Sequence, residues 1–269
     1  MKKALKKIVR ATGLQRHHVA AARMYGERHL LATTTGTQSV RPRTTGRILC
    51  YHSIGQAASG VNDVKPKRFC RQIELALRSG FRFVPAAQIG RTGGGPMDLA
   101  ITFDDGWTSV LAEAAPILQD HGIPWLLFVV TNWSDHRSAW SKEFILPWRD
   151  IDRLMAKGAQ IGSHSTTHPD FGSIGRSQMI EELCGSRETI KQRLGVVPVS
   201  FAIPLGQSMN WTPAAGDIAR DAGYDLIYAQ AEDTRPSGTI PRTFVTRFDG
   251  DRIFQALLGG AYDRWEEWV

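Results

Sequence analysis

Two short stretches of this 269-residue sequence hold residue types that can bind a metal ion and move a proton. The first is LAITFDDG, in which Asp104 and Asp105 follow a run of strand-forming residues. Two adjacent carboxylates at the end of a buried strand repel each other and lose hydration. A bound metal ion would offset that cost, whereas a plain Asp-Asp-Gly turn would explain the same residues without any chemistry.

The second stretch is SHSTTHPDF, in which His164 and His168 are four positions apart. Pro169 and the poor helix formers at positions 165–167 disfavour a helix, so we predict a loop that follows the strand AQIGS. Two imidazoles on one loop can face the same ion. With one aspartate they would form a set of three ligands that leaves positions open for water and substrate, and the other aspartate could take a proton from that water.

The segments that must position these residues alternate between strand-like and helix-like patterns from residue 47 onwards. Strands are predicted at RILCYHSI, FRFV, LAITF, PWLLFVV, AQIGS, PVSFAI and YDLIYA. Helices are predicted at RFCRQIELALRSG, residues 108–121, PWRDIDRLMAKG, RSQMIEELCGSRETIKQRLG and TPAAGDIARDAG. The alternation indicates βαβ units around a parallel sheet, and their number favours one barrel-like domain. Reactive groups in such barrels lie at the carboxyl ends of strands, where both stretches fall.

TFDDG followed by HSTTH resembles the first two motifs of the NodB-homology polysaccharide deacetylases, carbohydrate esterase family 4. The resemblance covers residues 47–245. It implies an α/β fold, a distorted (β/α) barrel of the NodB-homology type, as a single domain at residues 47–269. It also implies that Asp104 is the general base. The implied metal ligands are Asp105, His164 and His168. The expected ion is Zn²⁺, with Co²⁺, Ni²⁺ and Fe²⁺ as alternatives.

A third family motif, usually Arg-x-Pro-Tyr-Gly, corresponds here to AIPLG at residues 202–206. The proline is kept as Pro204, whereas Ala202 and Leu205 stand at the positions of the usual Arg and Tyr. The resemblance implies that the backbone N–H of Leu205 helps to bind the oxyanion, which any residue except proline can do. Trp211 follows this motif and is expected to line the sugar-binding groove.

The exopolysaccharide-deacetylase branch of the family resembles this chain in having alanine in place of that arginine. Its early YH and late PR motifs match CYHSI and IPRTF here. Arg242 is therefore predicted to orient Asp104, the alternative being a surface salt bridge. The family's late histidine, which acts as general acid, is absent near Arg242. His52 is predicted to protonate the leaving amine instead, the alternative being a hydrogen-bonded histidine at a strand end.

All of the net charge of +7 falls within residues 1–30, and the rest of the chain is balanced. Leu5, Ile8 and Val9 share one helical face, so this leader could contact an anionic membrane as a surface helix. A solvated, partly disordered tail is the favoured alternative, because that apolar face is short. Residues 33–46 are predicted to be a linker, which places the leader and linker together at residues 1–46.

The leader lacks the compact apolar core of a secretory signal, and no apolar run is long enough to span a membrane. The cysteines Cys50, Cys70 and Cys184 form no CxxC pair, and Cys50 is interpreted as a small buried hydrophobic residue. These features predict a cytoplasmic location, with peripheral contact to the inner face of the membrane as an option.

The sequence therefore predicts metal-dependent hydrolysis of N-acetyl groups on the amino sugars of a polysaccharide or oligosaccharide. The expected partner is a carbohydrate that carries an N-acetylated amino sugar, and no nucleic acid is expected. One alternative is a deacetylase or amidase of a small or lipid-linked sugar at the membrane surface. A second is a sugar-binding protein without catalysis, suggested by Ala202 and Leu205. Trp133, Trp140 and Trp148 could stack on sugar rings, with loop packing as the favoured alternative.

Overall fold

The strands of the structure alternate with helices along the chain, as the sequence pattern predicts. This computed structural model describes residues 16–34, 44–230 and 235–263. The strands are β1 Arg47–Tyr51, β2 Ser53–Ile54, β3 Asp63–Val64, β4 Arg82–Phe83, β5 Asp98–Phe103, β6 Trp125–Val129, β7 Gln160–Ser163, β8 Ser200–Ala202, β9 Leu226–Tyr228 and β10 Thr243–Phe244.

The helices are α1 Arg16–Thr34, α2 Pro66–Arg78, α3 Ala86–Thr92, α4 Ala115–Asp120, α5 Thr131–Ser134, α6 Ala139–Phe144, α7 Trp148–Ala156, α8 Arg176–Leu194, α9 Pro213–Asp221 and α10 Asp251–Leu258. A π-helical turn, Val110–Ala114, precedes α4, and 3-10 turns lie at Ala57–Asn62 and Ser208–Asn210. The predicted helix over residues 108–121 is thus a π-helical turn followed by α4. The strand pattern RILCYHSI is interrupted at His52, which separates β1 from β2.

Eight strands form one parallel sheet in the order β10-β1-β5-β6-β7-β8-β9, with β4 paired to the start of β5. Beyond β9, Ile240 forms a parallel bridge with Tyr228, and β10 begins three residues later beside β1. The segment from Ile240 to Phe244 therefore connects the two ends of the sheet. This closure brings the residue before β10 close to the ends of β1 and β5.

Strand β5 is buried at every position, which explains its nearly continuous apolar sequence. Leu99, Ile101 and Phe103 pack into the core beneath the outer helices, whereas Ala100 packs into the interior of the barrel. Because side chains alternate between the two faces of a strand, Asp104 continues the inward-facing series. The Asp104 N–H donates to the Tyr51 carbonyl at 3.0 Å, so pairing with β1 persists to that residue.

Helix α1 packs against the domain that was predicted to begin at residue 47. Met24, Arg28 and Ala32, at a spacing of four, are its buried residues. The Arg28 guanidinium forms a fully buried ion pair with Asp249, and Tyr262 donates a hydrogen bond to the Arg28 carbonyl. The interpretation of the leader as a solvated tail is therefore wrong for α1. The sequence does not reveal this buried helical face because its central residue is an arginine. That arginine is neutralised by an acid far away in the chain.

Other predictions for this region fall on residues that the structure does not describe. The surface helix at Leu5, Ile8 and Val9 lies outside the described residues, as does most of the predicted linker. Among the helices that are described, none combines the length and the hydropathy that crossing a membrane requires.

Replacing Arg28 with alanine is expected to lower the free energy of unfolding by about 3–5 kcal/mol, because Asp249 would remain buried without its counter-ion. Equilibrium urea denaturation would measure the change. Arg23→Ala is the matched control, since Arg23 pairs with Glu27 on the exposed face of the same helix, and it should cost about 0–1 kcal/mol. Equal losses in the two variants would contradict a special role for the buried pair.

Candidate active site

A cavity of about 210 Å³ opens at the carboxyl ends of the strands. Asp104 and Asp105, which follow β5, line one side of it, and His164 and His168, which follow β7, line another. The two stretches singled out in the sequence are thus brought together, because β6 lies between β5 and β7 and all three strands are parallel.

Three of these side chains converge on one point. The Asp105 Oδ1 atom lies 3.6 Å from His164 Nε2 and 3.8 Å from His168 Nε2. The two imidazole rings meet edge to face, with their centroids 4.8 Å apart. Separations of this size allow one ion to contact a carboxylate oxygen and two imidazole nitrogens together.

The hydrogen bonds around these residues prepare them as ligands. The His164 Nδ1–H donates to the Ala202 carbonyl at 2.8 Å, which leaves Nε2 with its lone pair directed at the cavity. Burial lowers the pKa of His164 to about 4, so the ring is neutral at pH 7. The indole N–H of Trp107 holds Asp105 Oδ2 at 3.0 Å, while the buried Oδ1 has no hydrogen-bond partner among the described residues. A buried, unpartnered carboxylate oxygen facing two imidazoles fits a divalent metal ion.

The backbone is strained at the same place. Asp105, Ser165, His168 and Leu205 all have positive φ angles of 64–72°, and all four lie at the cavity or in its loops. Such angles are uncommon for residues other than glycine and persist only where the surrounding structure enforces them. The predicted loop after the strand AQIGS is confirmed at residues 164–171. Its strained turns direct both histidines toward Asp105.

The other aspartate is held by an arginine. Arg242 Nη1 donates to Asp104 Oδ1 at 2.6 Å, and Nη2 donates to Oδ2 at 2.8 Å. Both residues are 3% exposed, which excludes the alternative of a surface salt bridge for Arg242. Burial by itself raises the pKa of Asp104. The charge and the hydrogen bonds of Arg242 outweigh it and hold that pKa well below its usual range, so Asp104 is ionised.

Arg242 is fixed by the closure of the barrel. Its Nε donates to the Ala229 carbonyl after β9 at 3.4 Å, and its Nη1 also donates to Thr102 Oγ1 in β5 at 3.2 Å. The guanidinium lies 5.2 Å from the centre of the Phe128 ring. These contacts come from three strands, so the predicted pairing of Arg242 with Asp104 depends on the complete barrel.

His52 lies at the break between β1 and β2 and lines the same cavity. Its ring packs edge-on against Phe244, with centroids 5.3 Å apart, and its buried Nδ1 lacks a hydrogen-bond partner within the described ranges. A ring nitrogen of His52, the Cys50 Sγ atom and an Asp104 oxygen all lie within 4.8 Å of one another. The Cys50 thiol donates to Asp104 Oδ2 at 3.5 Å. Cys50 is buried as predicted, but its contact with Asp104 was not apparent from the sequence.

Known proteins share part of this sequence and its fold. The family model for polysaccharide deacetylase matches residues 93–227, which is 135 of the 269 residues and includes Asp104, Asp105, His164 and His168. This chain belongs to the polysaccharide deacetylase family. The predicted NodB-homology relationship is confirmed.

Two solved structures share the fold of this family member. Streptococcus pyogenes deacetylase PplD, solved in complex with acetate, superposes with a TM-score of 0.67 at 20% identity, covering 81% of this chain and 97% of that one. IcaB from Ammonifex degensii superposes with a TM-score of 0.66 at 24% identity, with the same two coverages. The predicted distorted (β/α) barrel in a single domain is confirmed.

A chitooligosaccharide deacetylase of Sinorhizobium fredii is 27% identical over 104 residues, which is 38% of this chain and 44% of the relative. The matched regions of the first two curated relatives cover 31% and 44% of their lengths. This chain therefore matches less than half the length of each of these two relatives.

Of the two predicted residues in the third family motif, one lines the cavity and the other does not. Leu205 lines the cavity and is 49% exposed, and its backbone N–H donates to no other group in the described part of the chain. Pro204 is buried beside it and does not line the cavity. The expectation that Trp211 lines the groove is wrong, because Trp211 packs into a separate core against Phe171 and Phe201, at centroid distances of 5.1 and 5.6 Å.

Two residues that sequence reasoning did not assign to the metal site hold the histidine loop. Glu182 of α8 is 4% exposed, and its Oε2 accepts the N–H groups of Thr166 and Thr167, each at 2.8 Å. Trp133 stacks on the His168 ring with centroids 5.3 Å apart, so it packs against a predicted ligand. An acid on the buried face of a helix was the available signal for Glu182, but its partners could not be identified without the fold.

Replacing Glu182 with alanine is expected to weaken metal binding about 10–100-fold, because the loop that orients His164 and His168 would lose its anchor. Titration of the metal-free protein with Zn²⁺ against a competing chelator would measure the change. Glu181→Ala is the control, since Glu181 is exposed at the adjacent position. Unchanged affinity in the Glu182 variant would show that other contacts suffice to hold the loop.

Proposed function

We propose that this chain hydrolyses the N-acetyl group of an amino sugar in a polysaccharide or oligosaccharide, using one divalent metal ion, with Zn²⁺ as the first choice. The observation that carries the proposal is the juxtaposition in one cavity of three converging ligands, Asp105, His164 and His168, with a separate, ionised carboxylate, Asp104. Co²⁺, Ni²⁺ and Fe²⁺ also suit a site with two imidazoles and one carboxylate.

An ion held by those three residues would polarise the acetamide carbonyl and lower the pKa of a water molecule. Asp104 lies with its Oδ2 3.8 Å from His164 Nε2 and is positioned to accept a proton from that water. Arg242 keeps Asp104 ionised and fixes both of its oxygens. The Leu205 N–H is available to donate to the developing oxyanion.

His52 is assigned to the second proton transfer, which releases the sugar amine and acetate. Its ring lines the cavity, and one of its nitrogens lies within 4.8 Å of an Asp104 oxygen, so an imidazole that can carry a proton is close to the proposed base. Water supplies the hydroxyl group of acetate and the proton of the amine, so the reaction balances without any other reactant.

The choice of substrate draws support from the relative named a chitooligosaccharide deacetylase. The test is acetate release from N-acetylglucosamine oligomers and from a lipid-linked acetamido sugar, with and without a chelator, followed by addition of each candidate metal. We expect release from the oligomers that stops with chelator and returns with metal. Release from the lipid-linked sugar alone would favour that alternative, and ligand binding without release from either would favour a non-catalytic protein.

His52→Ala is expected to lower kcat roughly 10²–10⁴-fold while leaving metal content unchanged, because general acid catalysis is lost and the ligands are intact. His121→Ala is the control, since His121 is exposed at the end of α4. Steady-state acetate release and metal analysis of the same preparation would measure both quantities. Unchanged turnover would exclude His52 as the acid.

A further inference from the structure

A second concave surface lies next to the active-site cavity and has no part in the chemistry proposed above. This groove, of about 560 Å³, runs between α1, the 3-10 turn at Ala57–Asn62 and the loop between β10 and α10. We call it the basic groove. Its lining includes two aromatic residues, Tyr25 and Phe248, and four residues that can carry positive charge, His29, Lys65, Arg68 and Arg247.

The aromatic residues form one wall. The rings of Tyr25 and Phe248 meet edge to face with centroids 5.5 Å apart, and Tyr25 remains 51% exposed. The His29 ring packs against the same Tyr25 ring, with centroids 4.3 Å apart. An exposed tyrosine supported in this way offers a flat apolar face on which a sugar ring can stack.

The positive charges of the groove are not matched by carboxylates. Within the described residues, Lys65, Arg68 and Arg247 form no ion pair, although nearby Arg71 pairs with Asp251. Asp63 is the one acid that lines the groove in the part of the chain that the structure describes. Its carboxylate already accepts hydrogen bonds from Ser53 Oγ at 2.9 Å and the Gln56 N–H at 2.7 Å.

Hydrogen bonds connect Arg68, Arg247 and the 3-10 turn at Ala57–Asn62. Arg68 donates a hydrogen bond to the carbonyl of Arg247, and the Arg247 N–H donates to the Val61 carbonyl at 2.9 Å. The Arg247 guanidinium lies 5.7 Å from the centre of the Phe248 ring. Guanidinium groups that are ordered but lack a carboxylate partner are well suited to bind an anionic oxygen group.

The basic groove and the active-site cavity share one wall. Asn62 lines the cavity, whereas its chain neighbour Asp63 lines the groove together with Gly60. On the other side, Phe244 lines the cavity, and Phe248, four residues later in the chain, lines the groove. A saccharide of a few units with one sugar in the cavity could therefore place a neighbouring unit in the groove.

We infer that the basic groove is a subsite for an anionic group on the sugar substrate, either a carboxylate or a phosphate, with a neighbouring sugar ring stacked on Tyr25. The inference rests on the proposed function for its choice of saccharide, and it narrows the substrate class to anionic glycans. Neutral oligomers of the same length lack a group that Arg68 and Arg247 can bind, so they bind more weakly.

The test is calorimetric titration with three probes in an Asp104→Asn background, in which turnover is expected to be roughly 10²–10⁴-fold slower. The probes are the neutral, fully N-acetylated chitotetraose, the 1-phosphate of the same oligomer, and a tetrasaccharide that alternates glucuronate with N-acetylglucosamine. We expect at least one anionic probe to bind about tenfold more tightly than chitotetraose at low salt, and the difference to shrink as salt is added. The phosphate and glucuronate arms distinguish the two sources of negative charge.

The Arg68→Ala/Arg247→Ala double variant should lose this preference and leave chitotetraose binding unchanged. The Arg149→Ala/Arg153→Ala variant removes the same charge from the exposed face of α7 and should keep the preference. The inference would be overturned if all three probes bound equally. It would also be overturned if the preference for an anionic probe survived in the groove variant, or if the control variant lost that preference equally. Absence of acetate release from every substrate, with the preference intact, would instead count against the proposed function alone.

Discussion

Asp105→Ala is expected to lose the bound divalent ion and nearly all deacetylation, whereas Asp104→Asn is expected to keep the ion and still lose roughly 10²–10⁴-fold in kcat. The two residues are adjacent, yet Asp105 faces both imidazoles and Asp104 faces Arg242. Removal of a ligand should weaken metal binding by more than the roughly 100-fold that loss of an outer partner costs.

Metal analysis after dialysis, together with acetate release, separates the two variants. Asp152→Asn, at an exposed position in α7, is the control and should match the unmodified protein in both assays. Full activity in Asp105→Ala would contradict the assignment of the metal site. Loss of the ion in Asp104→Asn would contradict the separation of roles between the two carboxylates.

Arg242→Ala should move the acid limb of the pH profile of kcat/KM to higher pH and lower the rate at neutral pH. The guanidinium opposes the effect of burial on Asp104 and keeps the carboxyl pKa well below its usual range. Without it, burial would raise that pKa, and a base works only while it is ionised. Activity would then fall at a higher pH as the solution is acidified.

Arg242→Lys provides a second variant, because removal of one partner of a buried pair costs about 3–5 kcal/mol and could unfold the protein. Lysine keeps the charge but not the two-pronged hydrogen bond, so we expect an intermediate shift and a reduced rate. Arg252→Ala, at an exposed position in α10, is the control for net charge. A pH profile unchanged in both Arg242 variants would exclude the positioning role, provided that circular dichroism shows folded protein.

Helix α1 contacts residues of the wall of the active-site cavity. Arg28 donates to the carbonyl of Phe244 at 3.0 Å, and the Phe244 ring packs against His52. Met24 joins Cys50 and Phe244 in one buried cluster. The N-terminal helix therefore supports the wall that carries the proposed proton donor, and it also supplies Tyr25 to the basic groove.

The central part of the site could be predicted from the sequence because its signals are local. Asp104 and Asp105 follow a strand whose apolar residues are contiguous, and Pro169 prevents a helix between the two histidines. Parallel strands then place both stretches at the same edge of the sheet. Arg242 was identified from the resemblance of IPRTF to a family motif rather than from any local pattern.

For a residue just outside a motif, the sequence did not predict whether its side chain lines the cavity or packs into the core. Trp211 follows the third motif closely, yet it packs into a core formed by Phe171 and Phe201. An apolar ring buries more surface there than at the rim of a polar cavity, and sequence spacing does not distinguish the two positions.

The sequence by itself indicated Asp104, Asp105, His164 and His168 as candidate site residues and the alternation of strands and helices, because both motifs and the periodicity are local patterns. Only the tertiary structure decided that Arg28 pairs with Asp249, 221 positions away, that Glu182 anchors the histidine loop, and that three cations line one groove. These contacts exist only once the barrel has closed and distant segments share a surface. The energy of a buried charge depends on such partners and not on the periodicity of its own helix.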